Sequence, residues 1–157
     1  MFSIIAAIGK NNELGKNNGL VFKIKEDMKF FKDKTTGHKV LMGSNTWRSL
    51  PGKLKDRENI VISTRDFEGP DLIIHDIKSF ISKNVDSDEE IFVIGGGTVY
   101  MQLLPFAKFL YLTEVEAEDS GATTYFPEFN KNDYDIVLIK KGSENGLNYS
   151  FMKYIKK

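Results

Sequence analysis

A chain of 157 residues, 41% hydrophobic and 28% charged, is large enough to bury its own core, and the length fits one domain spanning residues 1–157. Its 22 Lys and Arg balance 22 Asp and Glu, which removes any global pull toward nucleic acid or an anionic membrane surface. Cysteine is absent, so disulfide and cysteine–metal chemistry are excluded and the expected location is the reducing cytoplasm.

Residues 3–8 form a continuous apolar run ended by Gly9, the pattern of a strand buried on both faces and too short for a membrane span. Residues 10–19 carry Asn11, Asn12, Gly15, Asn17, Asn18 and Gly19 and predict a mobile loop. It is either an ordinary surface connection or, following the C-terminal end of a buried strand, a ligand loop. Residues 23–34 predict a helix with Ile24, Met28 and Phe31 on one face. Asp27 falls on that same face. A carboxylate there either binds a cationic or hydrogen-bond-donating ligand or sits in the first turn against the helix dipole.

Residues 39–42 predict a short strand, ended by Gly43. Ser44-Asn45-Thr46 then offers N-cap residues for a helix through Trp47, Ser49 and Leu50. A polar loop with Arg57 leads to a strand at 59–63. At its end Ser63-Thr64-Arg65 places two hydroxyls and a guanidinium where a nucleotide phosphate could be held, an exposed turn arginine being the ordinary alternative. A strand at 72–74 precedes His75, a helix covers 77–83, and residues 86–90 are a solvated acidic loop. Residues 91–94 predict another buried strand, followed by Gly95-Gly96-Gly97 and a helix from Thr98 that Pro105 ends. Strand, glycine turn and helix start together suit an anion such as a phosphate, with a ligand-free tight turn as the alternative.

After Pro105, strands are predicted at 109–115, 135–139 and 149–155. Asn145-Gly146 is a hairpin signal inside what reads as a loop longer than two residues. The fold class expected is α/β: a mixed, mostly parallel eight-stranded central sheet with about four flanking helices and antiparallel C-terminal strands. No His/Asp/Glu cluster has metal spacing, so no metal is expected, and the glycine run is not the GxGxxG fingerprint.

Together these pieces resemble the common monomeric bacterial dihydrofolate reductases along nearly the whole chain. The residues carrying the resemblance are 3–8, Leu14-Gly15, Asp27 with Phe31 and Thr35, Met42-Gly43 with Thr46-Trp47, Arg57 with Asn59-Ile60, 93–97 with Tyr100, Tyr111-Leu112-Thr113, and Tyr125-Phe126-Pro127. The resemblance implies NADPH-dependent reduction of dihydrofolate by a monomer, with no nucleic-acid or membrane partner. It makes Asp27 the acid that grips the pteridine and favours protonation at N5, with Thr113 behind it. Met28, Phe31, Leu50 and Leu54 would line the aminobenzoyl passage, and Arg57 would pair with the glutamate tail. Ile5, Ala6, Ile94 and Tyr100 would face the pteridine, and Ala7 the nicotinamide carboxamide. A cis Gly-Gly bond after the strand is implied, with Gly95, Gly96, Gly97, Thr98, Val99 and Tyr100 on the cofactor. Asn45 and Thr46 would meet phosphates from the other helix, with Gly43 and Ser44 also on the cofactor. Ser63, Thr64 and Arg65 would flank the 2′-phosphate, with His75 at the adenine edge. Leu14, Gly15, Asn18, Gly19, Leu20 and Phe22 would belong to the gating loop over the nicotinamide, Leu20 and Phe22 closest to the chemistry.

Four departures stand out. The loop ends in Leu20-Val21-Phe22 where Pro-Trp is usual, Lys25 stands for a frequent proline, Ser44 for a frequent arginine, and Gly121-Ala122-Thr123 where an acid is common. The last predicts a missing or rearranged loop-to-loop hydrogen bond. Two other readings are a riboflavin-pathway reductase of the same fold, against which Asp27, Phe31 and Arg57 speak, and a non-catalytic nucleotide-binding module.

Overall fold

The computed structural model describes every residue except Asn18. In chain order, β1 (Phe2–Ile8) leads through β2 (Glu13–Lys16) and β3 (Gly19–Leu20) to α1 (Lys25–Thr35) and β4 (Lys39–Gly43). Then come α2 (Ser44–Ser49), β5 (Glu58–Ile62), β6 (Leu72–Ile74), α3 (Ile77–Asn84), β7 (Ile91–Gly95) and α4 (Gly97–Leu103). The chain finishes with β8 (Ala107–Val115), β9 (Thr124–Tyr125), β10 (Tyr134–Glu144) and β11 (Leu147–Lys156).

The eight-stranded sheet has the order β10-β11-β8-β1-β7-β4-β5-β6. From β8 to β6 all neighbours are parallel, while β11 and β10 add antiparallel strands at one edge. This is the mixed sheet with four helices that the sequence predicts. The parallel strands bury both faces, and the period of two shows which side chain goes where. Ile4, Leu41, Val93, Leu110 and Leu112 belong to one core, with Val99, Tyr100 and Leu103 of α4 and Ile81 of α3. Their sequence neighbours Ile5, Val40, Met42, Phe92 and Tyr111 form the other, under Phe30, Phe31, Trp47, Leu50 and Leu54. Among the described residues no helix is long and apolar enough to cross a membrane.

Three expectations need correction. The face of α1 turned to the sheet is not Ile24–Met28–Phe31. Ile24 precedes the helix as its N-cap, and Met28 is 60% exposed. Phe30 instead stacks on Phe151 with ring centroids 4.6 Å apart, and the wholly buried residue of the helix is Thr35. Starting the helix at Lys25 turns the inward stripe to Asp27, Phe30, Phe31 and Thr35, at spacings of three and four. Part of the segment read as a mobile loop is paired: residues 10–12 remain turn and loop, but β2 forms antiparallel ladders with β3 and with β9, giving a second, three-stranded sheet. The C-terminal hairpin loop is the two residues Asn145-Gly146, with Glu144 opposite Leu147 and positive φ of 51° and 80°. Both angles suit the tight primed turn whose twist matches that of its strands.

Candidate active site

The parallel strands end along one edge, where β1, β7, β4 and β5 release their chains into turns. The sequence order reverses there: β4, β5 and β6 step outward, then β7 returns between β1 and β4. Crevices of open α/β sheets form at such switch points.

Asp27 lies in the first turn of α1, half-buried. Thr113 Oγ1, on β8 and only 2% exposed, donates a hydrogen bond of 2.6 Å to its Oδ1. Burial raises the proton affinity of the Asp27 carboxyl above the usual carboxylate range, and the Thr113 bond opposes that rise without cancelling it. Thr113 stands opposite Ala7 in the β1–β8 ladder, so one register fixes the hydroxyl beside the C-terminal end of β1. Ala6 packs on the α4-side core. The Tyr100 hydroxyl, buried under the sheet edge, donates to the carbonyl of Ile5 at 2.8 Å, and burial pushes the phenol's pKa up. Ile94 sits at an irregularity in β7: the register with β1 ends at Val93, and that with β4 passes from Val93 to Gly95.

Phe31, Leu50 and Leu54 pack around the second core near Asp27, with Met28 at its rim. The Arg57 guanidinium is 6.0 Å from the Phe31 ring centroid, with Nη1 donating to Thr35 Oγ1 at 3.1 Å and Nε to the Lys55 carbonyl at 2.8 Å.

On the other side of β7 lies a cleft of about 480 Å³. Its walls include Gly43, Ser44, Asn45 and Thr46 at the start of α2, and Ile94, Gly95, Gly96, Gly97, Thr98, Val99 and Tyr100 at the start of α4. Leu14, Gly15, Gly19 and Leu20 of the β2–β3 hairpin form the lip, Leu20 being 54% exposed. The Gly95–Gly96 peptide is cis, as the resemblance implies. Gly95 has φ of 125°, a conformation that needs glycine. A Cβ on Gly96 would stand 3.5 Å from Thr46 Oγ1, inside the space between the two helix starts.

Ser63, Thr64 and Arg65 lie beyond this cleft, after β5, and are joined to His75 after β6. The Arg65 amide donates to Ser63 Oγ at 3.1 Å, while His75 Nδ1 and Nε2 approach the Ser63 carbonyl at 2.7 Å and Asp66 Oδ1 at 2.8 Å. Both partners are acceptors, so the ring is held as a double donor and its pKa is raised, first by the Ser63 carbonyl and then by Asp66.

The loop around Gly15 and the loop at residues 119–123 meet through a backbone bond and an ion pair. The Thr123 amide donates to the Gly15 carbonyl at 2.8 Å, and Lys16 lies 3.6 Å from Asp119. Glu13, buried, accepts amides of Asn11 and Asp119 at 2.7 Å each. Burial works to raise its pKa, but these backbone donors prevail and lower it. Phe22 packs with Ile24, Val115 and Tyr149 in a third apolar cluster, an aromatic plug with no polar atom to offer. Asn18 is outside the described residues.

The cleft also contains Ser49, Ile62, Gln102 and Thr124, which the sequence reading misses. Gln102 lies four residues beyond Thr98 and Ser49 three beyond Thr46, so helical spacing could have found them. Ile62 pairs with Gly43, and Thr124 pairs with Gly15; only the fold brings those together.

A parallel sheet whose strand ends open onto a glycine-lined cleft, with a half-buried carboxylate beside the same strand ends, defines an α/β protein with a ligand crevice at its topological switch point. The dihydrofolate reductase family model matches residues 1–156, and the chain belongs to that family. It is 34% identical over 165 residues to a dihydrofolate reductase of Bacillus subtilis, covering 100% of this chain and 95% of that protein. Against dihydrofolate reductases of Buchnera aphidicola from Acyrthosiphon pisum and of Haemophilus influenzae, identity is 37% and 38%, covering 95% and 86% of this chain and 95% and 84% of theirs. The solved dihydrofolate reductase of Enterococcus faecalis, complexed with NADP(H) and RAB-propyl, has the same fold at a TM-score of 0.88 and 23% identity, covering 100% of this chain and 96% of that one.

Proposed function

We propose that the chain reduces 7,8-dihydrofolate to 5,6,7,8-tetrahydrofolate with NADPH, as a single catalytic domain, a cytoplasmic monomer whose lack of cysteine suits a reducing compartment. The observation that carries this reading is the half-buried Asp27 carboxylate fixed by Thr113 at 2.6 Å. A carboxylate in that setting offers two oxygens to a flat edge bearing two N–H donors, such as pteridine N3 and its 2-amino group. When ionised, its negative charge favours protonation of the bound pteridine, here at N5.

NADPH suits the cleft: glycines at 95–97 and at 43 line it, and a side chain at 96 would extend into the space beside Thr46 that a pyrophosphate would take. When bound, it supplies the hydride from its nicotinamide C4 to pteridine C6. The protein's part is alignment. Ile5, Ala6, Ile94 and Tyr100 support the pteridine, and Ala7 the nicotinamide carboxamide. Phe31, Leu50, Leu54 and Met28 line the passage to Arg57, which takes the glutamate carboxylate. Ser44, Asn45, Thr46, Thr98 and Val99 hold phosphates. Ser63, Thr64, Arg65 and His75 hold the adenosine end. Leu14, Gly15, Gly19 and Leu20 cover the nicotinamide, and Phe22 braces that cover from behind.

The assay is the loss of reduced-nicotinamide absorbance when dihydrofolate is added to the protein and NADPH. Steady loss that requires all three components is expected; no loss from folded protein that binds NADPH would overturn the reading.

A further inference from the structure

Helix α1 carries Asp27 in its first turn, and nothing local caps that turn. The N-cap residue is Ile24, whose side chain has no oxygen. Position 25 is the first helical residue, where proline is favoured because the amide there has no helical acceptor. Ile24, at φ −122° and ψ 123°, already has the extended backbone that a following proline requires. The chain has Lys25 instead, so an amide hydrogen needs a partner. It donates to Glu144 Oε1 at 3.1 Å and Oε2 at 3.0 Å, across 119 residues of sequence.

Glu144 closes β10 beside the Asn145-Gly146 turn, and the same hairpin grips the next helical residue. Glu26 accepts from Lys140 Nζ at 2.5 Å and from the Tyr149 hydroxyl at 2.7 Å. Those two bonds, Lys140 first, hold the Glu26 carboxyl below its usual pKa. Gly142 lies between: a Cβ there would collide with the Glu26 carboxylate and the Tyr149 ring. Two consecutive residues of α1, immediately before Asp27, are thus fastened to the β10–β11 hairpin.

We propose that Glu144 is a positioning residue for Asp27, capping α1 from the C-terminal hairpin in place of a proline at position 25. Its negative charge also faces the positive end of the helix. With proline at 25 the helix start is pre-set by the ring; with lysine, the placement of the Asp27 carboxylate against Thr113 depends on the hairpin. Lys140 and Tyr149 reinforce the same turn through Glu26. The proposal rests on Asp27 being the acid that holds the substrate.

Glu144→Ala, Lys25→Pro and the double variant test it, with dihydrofolate kinetics, NADPH titration and exchange of the Lys25 amide. In the parent the Lys25 amide is protected, and Glu144→Ala speeds its exchange at least about tenfold. Glu144→Ala lowers kcat/KM for dihydrofolate about fivefold, as expected for a lost helix cap, and leaves the NADPH dissociation constant within about twofold. In the Lys25→Pro background the same substitution changes kcat/KM by less than about twofold, since no amide remains to cap. Glu144→Gln, which keeps one acceptor oxygen, stays near the parent. An unprotected Lys25 amide in the parent, an equal loss in the proline background, or a parallel loss of NADPH binding overturns the proposal. Should Glu144→Ala not fold, Glu144→Gln and amide exchange in the parent still decide it. A failure of the Asp27 reading is separate: Asp27→Asn would then keep turnover, whatever the amide exchange reports.

Discussion

Thr113 and Asp27 are 86 residues apart in sequence, yet the Thr113 hydroxyl donates to the Asp27 carboxylate at 2.6 Å. The pair joins helix α1 to strand β8 and governs the electrostatics of the site. Burial makes the Asp27 charge costly and raises its proton affinity. A folded pKa above the unfolded value of about 3.9 contributes stability below that pH, which is lost as pH rises through the folded value. Asp27→Asn removes a charge that is unfavourable in the folded state at neutral pH and keeps an oxygen for Thr113. The urea midpoint at pH 7 is therefore expected to rise above the parent's, with the gap closing toward pH 4. Turnover of dihydrofolate near neutral pH falls about 100-fold or more, the loss typical of removing a proton-managing group.

Thr113→Val keeps the shape at this buried position and removes the donor. The ionised carboxylate then loses a partner, so the Asp27 pKa rises further. The expected result is a pH–rate profile displaced to higher pH and a KM for dihydrofolate raised about tenfold, with NADPH binding unchanged. Thr113→Ser, which retains the hydroxyl, restores both. An unmoved profile in the valine variant would separate Thr113 from the chemistry.

Much of this was legible in the sequence because parallel strands buried on both faces leave unbroken apolar runs. The runs 3–8, 39–42 and 91–94 correspond to β1, β4 and β7 within a residue or two. The glycine run after β7 was equally plain, since three residues without side chains need a reason in the fold. Other features depend on partners distant in sequence. Asn11 and Asn12 are loop as read, but residues 13–16 also read as loop because no local pattern announces that Gly15 pairs with Thr124. The apolar pattern of α1 leaves its inward face ambiguous because Met28 and Phe30 are both apolar, and only the start at Lys25 decides which turns inward.

That corrected face gives a stability test. Phe30→Ala removes a ring stacked on Phe151 at 4.6 Å and tilted against Tyr111 at 6.5 Å, and should cost about 2–4 kcal/mol in chemical denaturation. Met28→Ala, at an exposed position, should change stability by no more than about 0.5 kcal/mol while weakening dihydrofolate binding. Equal costs for the two would mean the helix is turned the other way.

Gly95→Ala probes the turn between β7 and α4. With φ of 125° an alanine is strained by about 1–3 kcal/mol, and its methyl would stand 3.4 Å from Tyr100 Oη and 3.5 Å from Thr46 Oγ1. Thermal stability is expected to fall, and the NADPH dissociation constant to rise at least about tenfold because the cradle wall is displaced. Gly52→Ala, where a Cβ meets nothing within 4 Å, is the control expected to match the parent in both.

His75 tests the adenosine end. Its two ring nitrogens face the Ser63 carbonyl and Asp66, which together favour the imidazolium and raise its pKa above the usual 6.5. The stabilising effect of the charged ring is full below about 6.5 and disappears as pH rises through the folded value. If Ser63, Thr64 and Arg65 hold the 2′-phosphate, a cationic His75 beside them strengthens NADPH over NADH at acid pH. His75→Ala should then reduce that preference up to about fivefold at pH 6, the scale of an exposed charge pair, and leave it unchanged near pH 9. Raised salt should shrink the pH 6 effect, because exposed charges are screened. A preference that is equal at both pH values in parent and variant would move the 2′-phosphate away from this turn.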